Sequence, residues 1–229
     1  MMEDPGGQDG SLLDAAGVQE RLKRITELYA VAKTLILKTE EYTHKADLQP
    51  IKELRDAFDH VMDCYAVRFG LNTDVISQGG SLSYIETHLD KAYGHVYRAA
   101  YDTLDFFTLI LREKIKDVLS GYGNEAICAV IPEYYTTIKP DIIFLCQKIA
   151  EYRDGKDVAA ELRHSTLIAY SREVKQLVDY HAAVTSKISA LEEYKKKARK
   201  EKISSSMTQA IIAVIAAAFG ALCSWFFMN

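Results

Sequence analysis

The chain has 229 residues, with 28 Lys/Arg against 32 Asp/Glu for a net charge of −4, and hydrophobic side chains make up 48% of it. That is ample for one or two folded domains, one being expected. The four cysteines (Cys64, Cys128, Cys146, Cys223) are far apart and form no CxxC pair, which suits a reducing compartment and argues against a disulfide framework or a cysteine zinc site.

Residues 1–14 are acidic and Gly-rich and are expected to be a disordered tail; with no apolar h-region they are not expected to direct secretion. Helical spacing dominates the rest of the chain and no alternating strand pattern stands out, so the expected fold class is all-α: a long-helix bundle of about five helices plus one C-terminal transmembrane helix. A first helix is marked by Val18, Leu22, Ile25, Tyr29, Ala32 and Ile36. The second is expected to begin near Pro50, carry a seam of Leu54, Phe58, Val61, Tyr65 and Phe69, and stop at Gly70.

After a loop over residues 71–81, Ser83 and Glu86 read as a capping box opening a long third helix. Its near-heptad, coiled-coil-like seam runs Ile85, Leu89, Ala92, Val96, Ala99, Thr103, Phe107, Ile110 and Ile115, and Tyr93, Tyr97 and Tyr101 add a second stripe. So much aromatic surface predicts cover on more than one side. Pro132 and Pro140 predict a broken helix pair across residues 124–152, because each proline removes an amide donor and clashes with the preceding turn. Asp157 is positioned to cap a last helix carrying Leu162, Thr166, Ala169, Val174, Leu177, Val184, Ile188 and Leu191. No Pro or Gly interrupts it before Gly220, so it can run on toward the C-terminus, with Ser204, Ser205 and Ser206 as a plausible break. The cytosolic bundle is placed at residues 15–194.

Residues 207–228 contain no charged side chain, and 22 helical residues reach about 33 Å, enough to cross a hydrocarbon core of about 30 Å. A buried core helix is the alternative, but the uncharged run exceeds the usual core-helix length. The expected anchor residues are Met207, Ile211, Ile215, Phe219, Leu222, Trp225 and Phe226, the last two lying where an aromatic belt falls. Just before it, residues 195–206 form a basic collar in which Lys195, Lys196, Lys197, Arg199, Lys200 and Lys202 are expected to meet lipid headgroups. Residues 195–202 carry a net +5, leaving −9 on residues 1–194, so an anionic membrane surface attracts the collar and repels the body. The positive-inside rule then places the N-terminus in the cytoplasm, giving a tail-anchored, single-pass topology. Ala213, Ala217 and Ala221 recur every four residues beside Gly220, a small-residue face that predicts a homo-oligomer within the bilayer.

Residues 55–60 read Arg-Asp-Ala-Phe-Asp-His, and this RxxxxH spacing resembles the signature of HEPN domains, all-α bundles that often act as metal-independent ribonucleases in defence and toxin systems. The resemblance implies a phosphate-holding role for Arg55 and acid/base work on the RNA 2′-hydroxyl for His60, across a dimer. The alternative reading of the same residues is a charged helix face, with Arg55 pairing to Asp56 or Asp59. No metal or other cofactor is expected: the ExxH pairs Glu41/His44 and Glu161/His164 lack the further inward glutamates of a di-iron bundle, and His88 and His95 read as partly buried partners of Tyr or Asp. No phosphate-cradling glycine loop is present. The sequence thus predicts a membrane-bound interaction or assembly module binding lipid and itself, with a protein partner as a further candidate. The alternative is a HEPN-like RNase at the membrane, and RNA is a partner only in that case.

Overall fold

The computed structural model describes residues 10–154 and 162–228; for residues 10, 11, 154, 219 and 221–228 the description is of the backbone alone. Among the described residues the regular secondary structure is entirely helical. The helices are α1 (Gly10–Leu13), α2 (Ala16–Thr43), α3 (Leu48–Arg68), α4 (Thr73–Ser77), α5 (Ser81–Ser120), α6 (Asn124–Val130), α7 (Lys139–Asp154), α8 (Arg163–Thr185) and α9 (Ile188–Met228). A π-helical turn, Tyr134–Ile138, separates α6 from α7. The chain divides into two compact units: residues 1–113 with 144–178, and residues 114–143 with 179–229.

In the first unit, α2 buries Val18, Ile25, Leu28, Ala32, Ile36, Thr39 and Thr43. Leu28 takes the place expected for Tyr29, which is 45% exposed. From Ile25 onward the buried positions advance 3, 4, 4, 3 and 4 residues, tracking the ~3.6-residue turn of a straight helix where strict 3/4 alternation would drift off the core. His44, in the left-handed region at φ 55°, ends the helix.

Helix α3 is corrected more sharply. Asp47 caps it, its side chain accepting from the Gln49 amide, and Pro50 is tolerated in the first turn. The buried face is Pro50, Ala57, Cys64 and Val67, while Phe58 and Phe69 of the expected seam point outward. The cause is size. Small Ala57 and Cys64 let α3 come close to α5, with Cys64 Sγ 3.6 Å from the Ile85 carbonyl oxygen. The opposite face of α3 is left with Leu48, Ile51, Phe58, Met62 and Phe69 exposed, all within one stripe at ~100° per residue.

Helix α5 begins at Ser81, and the Tyr84 amide bonds the Gly80 carbonyl, so Ser83 lies inside the first turn and is not the cap. Both of its expected stripes are inside: Ile85, Leu89, Ala92, Val96, Ala99, Thr103, Phe107 and Ile115 are buried, as are Tyr93, Tyr97 and Tyr101. Ile110 is the half-buried exception. From α8, Leu167, Tyr170, Val174 and Leu177 join the first unit's core, whereas Leu162 is 55% exposed. Asp157 lies outside the described residues.

The second unit forms its own core from Leu119, Ala126, Ile127, Ile131, Ile138, Val184 and Leu191. The chain breaks at Pro132 as expected, and the π-helical turn runs directly into α7, with Pro140 as the second residue of that helix and no break in the helical backbone there. The interruption in the C-terminal helical run falls at Ser186 and Lys187, where the Lys187 amide bonds the Val184 carbonyl. Helix α9 then continues through Ser204, Ser205 and Ser206 without a break; Ser205 and Thr208 fold their hydroxyls back onto the Lys202 and Ser204 carbonyls. Among the described residues, no helix is long and apolar enough to cross a membrane. The expected anchor extends past them: the side chains of Phe219, Ala221, Leu222, Trp225 and Phe226 lie outside the described residues.

Candidate functional site

Two regions stand out, a histidine cluster where α3 meets α5 and the uncovered length of α9.

The cluster is built by register. His60 and Asp63 lie one turn apart on α3, and His88 and His95 lie two turns apart on α5, so the close approach at Cys64 and Ile85 brings them together. His60 Nδ1 is 3.2 Å from His88 Nδ1. Asp63 Oδ2 is 2.9 Å from His88 Nδ1 and 3.7 Å from His60 Nδ1. Tyr84 stacks on His88, ring centroids 4.0 Å apart and 23° between planes, and the His60 and His95 rings are 5.3 Å apart. Burial holds both His60 and His88 below the usual histidine range, against a smaller opposing pull from Asp63. Burial also pushes the neighbouring Cys64 thiol up to about 11, which makes it an unreactive core group.

Two turns away, Glu53 ties the same helices together. Its Oε2 accepts from Arg98 Nε at 2.9 Å and lies 2.8 Å from His95 Nδ1. His95 Nδ1 is also 2.8 Å from Arg98 Nη2; protonated there it donates to Glu53, and unprotonated it accepts from Arg98. Burial alone would raise the Glu53 carboxyl, but the hydrogen bonds and charges of His95 and Arg98 outweigh it and hold it below its ordinary value. A cleft of about 560 Å³ opens beside this network, lined by His60, Lys91, His95, Arg98 and Arg163 among others.

The HEPN-like pair separates in its surroundings. His60 is half-buried against His88 and lines the cleft, whereas the Arg55 side chain is 66% exposed and pairs with its chain neighbour Asp56 at 2.6 Å. Glu41 and His44 are exposed at the end of α2, His164 is exposed on α8, and Glu161 lies outside the described residues. The trio His60, Asp63 and His88 was missed in the sequence. Its HxxD half is a legible helix spacing, but its third member comes from another helix, and only the small-residue face of α3 could have aligned them.

Along α9 every described residue from Lys195 to Ala218 is exposed. Ile203, Met207, Ile211, Ile212, Val214 and Ile215 are between 52% and 68% exposed. Lys195 is the collar residue nearest the second unit's core: its ammonium bonds the Gly121 carbonyl at the end of α5, at 3.1 Å, and lies over the Tyr122 ring. Tyr122 in turn donates to Glu192, so the base of α9 is fixed to its unit before the helix runs free. Lys196, Lys197, Arg199, Lys200 and Lys202 face solvent together with Ala213, Ala217 and Gly220.

Set beside protein-family models, curated proteins and solved structures, the chain matches none.

Proposed function

We propose that this protein is a membrane-anchored assembly module: residues 207–228 insert in a bilayer, the basic collar rests on anionic headgroups, and the helical bundle is presented to partners on the same side as the collar. One observation carries the reading, the exposure of every described side chain of α9 from 195 to 218, a stretch whose residues 207–218 are almost wholly apolar. Burying one large aliphatic side chain is worth about 1.5–3 kcal/mol, so Met207, Ile211, Ile212, Val214 and Ile215 together represent a large driving force toward a covering phase. A bilayer covers a helix on every side, and the five cations at 196–202 stand where headgroups would neutralise them at about 1 kcal/mol each.

The assembly half of the proposal draws on α3. Leu48, Ile51, Phe58, Met62 and Phe69 leave an apolar stripe uncovered, with Arg55 and Tyr65 between them. A second copy of the chain supplies a matching stripe by symmetry, so self-association here needs no other component. The RNA-cleaving alternative would need Arg55 to leave Asp56 and meet its counterpart across a dimer.

The test is alkaline carbonate extraction of membranes from cells expressing the full chain. The protein is expected to stay in the pellet, and a chain lacking residues 207–228 in the supernatant. Release of the full chain would overturn the anchoring.

A further inference from the structure

The closest gathering of metal-ligating atoms among the described residues is the trio His60, Asp63 and His88, whose ligand atoms all lie within 4.8 Å of one another. We propose that these three residues bind a single divalent transition-metal ion of the zinc type, through the two Nδ1 atoms and the Asp63 carboxylate, with a fourth position open to water or an exogenous ligand.

The geometry carries this. The three separations are 3.2, 2.9 and 3.7 Å. Two ligands of a tetrahedral zinc ion at about 2.0–2.1 Å stand roughly 3.3 Å apart, close to the mean of those three distances. The point equidistant from the three atoms lies about 1.9 Å from each, so an ion displaced about 0.7 Å from their plane reaches bonding distance to all of them at once.

Proton counting points the same way. Two neutral imidazoles and a carboxylate converge here with their Nδ1 and Oδ2 atoms, and hydrogen bonding among the three fits poorly. If His88 gives its Nδ1 proton to Asp63, the lone pair of His60 Nδ1 faces a proton already committed; if His60 carries the proton instead, Asp63 loses its closer donor. An ion accepts all three lone pairs and moves the ring protons to Nε2. Imidazole and carboxylate donors suit zinc and its first-row neighbours more than calcium or magnesium.

The site is also held. His88 is clamped by the stacked Tyr84 ring, and the Cys64 and Ile85 contact beside it fixes the approach of α3 to α5. His88 and His60 are inward at 13% and 22% side-chain exposure, while Asp63 at 46% forms the mouth. Three protein ligands with one free position is the arrangement of a site that binds water or substrate, in contrast to the closed four-ligand sets of purely structural zinc.

The experiment uses the untagged full chain in detergent, stripped by a chelator, titrated with Zn²⁺ alone by calorimetry and with Co²⁺ alone by visible absorption. One equivalent of Zn²⁺ is expected to bind with a Kd of about 10 μM or tighter, and Co²⁺ to give the intense bands of four-coordination. His88→Ala and Asp63→Asn are each expected to weaken binding at least ~10-fold while His44→Ala leaves it unchanged. Asp63 is half-exposed, so Asp63→Asn keeps the test readable should His88→Ala misfold; circular dichroism reports which. Absence of saturable Zn²⁺ binding, or equal binding by Asp63→Asn and the parent chain, would overturn the site. Weak cobalt bands of six-coordination alone would overturn the tetrahedral assignment. None of these readouts depends on membrane insertion.

Discussion

The Glu53 carboxylate on α3 lies 2.9 Å from Arg98 Nε on α5, and only 13% of the Glu53 side chain is exposed. With His95 on the same oxygen, the pair holds Glu53 ionised below its ordinary value of 4.5. A carboxyl with a lowered folded-state pKa adds stability that is complete above the unfolded value and is lost as pH falls through the folded one. The chain is therefore expected to lose stability below about pH 4.5, and Glu53→Gln to flatten that part of the curve. Urea midpoints measured from pH 6 to pH 3 check it; parallel curves for the two proteins would contradict the assignment.

Tyr170, fully buried on α8, donates its hydroxyl to Asp105 on α5, and Arg153 Nε reaches the same carboxylate oxygen at 2.9 Å. Tyr170→Phe removes one charge-assisted bond without opening a cavity, and Arg153 still satisfies Asp105. A loss of about 1.5–3 kcal/mol is expected by chemical denaturation, far less than a ring deletion. Tyr152, stacked on Tyr170 at 5.4 Å, holds the ring in place in both proteins.

Arg55→Ala is expected to leave the urea midpoint of unfolding unchanged, because its partner Asp56 is the adjacent residue on the same helix and water screens the pair. Total RNA from cells expressing the parent chain and Arg55→Ala/His60→Ala is expected to be intact in both. Cleavage by the parent that vanishes in the double variant would restore the ribonuclease reading.

Two surfaces are expected to support self-association. Phe58→Lys places a charge in the uncovered α3 stripe and is expected to lower the dimer fraction of the full chain by about tenfold, measured by sedimentation in detergent. At Gly220 an added Cβ meets no described atom within 4 Å, so Gly220→Ile is expected to act by holding a neighbouring helix away. Crosslinking in membranes is expected to fall for Gly220→Ile; unchanged yields for both variants would leave the assembly without either face.

Large side chains made α5 legible, because its two aromatic and aliphatic stripes have nowhere to go but inside. The proline at 132 likewise announces its break through the missing amide, whereas Pro140 is carried within a helical run. The same emphasis on size misread α3, whose buried face is built of Ala57 and Cys64 and whose phenylalanines are left outside. Small residues mark close helix approach, yet carry little weight in a hydrophobic pattern. The turn at Ser186 and Lys187 has no Pro or Gly to reveal it, and the serines at 204–206 stay helical because each exposed hydroxyl is free to bond within the helix or to water. The histidine cluster was illegible for a different reason. His60 and Asp63 are neighbours in sequence, but which of the chain's other histidines meets them depends on how α3 and α5 slide together.

Trp225 is the single tryptophan of the chain and falls within residues 207–228, so fluorescence excited selectively at tryptophan, clear of the 14 tyrosines, reads the proposed anchor. The direct measurement is its quenching in the full-length protein reconstituted into vesicles, with brominated lipid against aqueous iodide. Strong quenching by the lipid bromines, with protection from iodide, is the result this account predicts. Full access to iodide and indifference to brominated lipid would contradict it, and would leave the apolar length of α9 to be covered by protein instead.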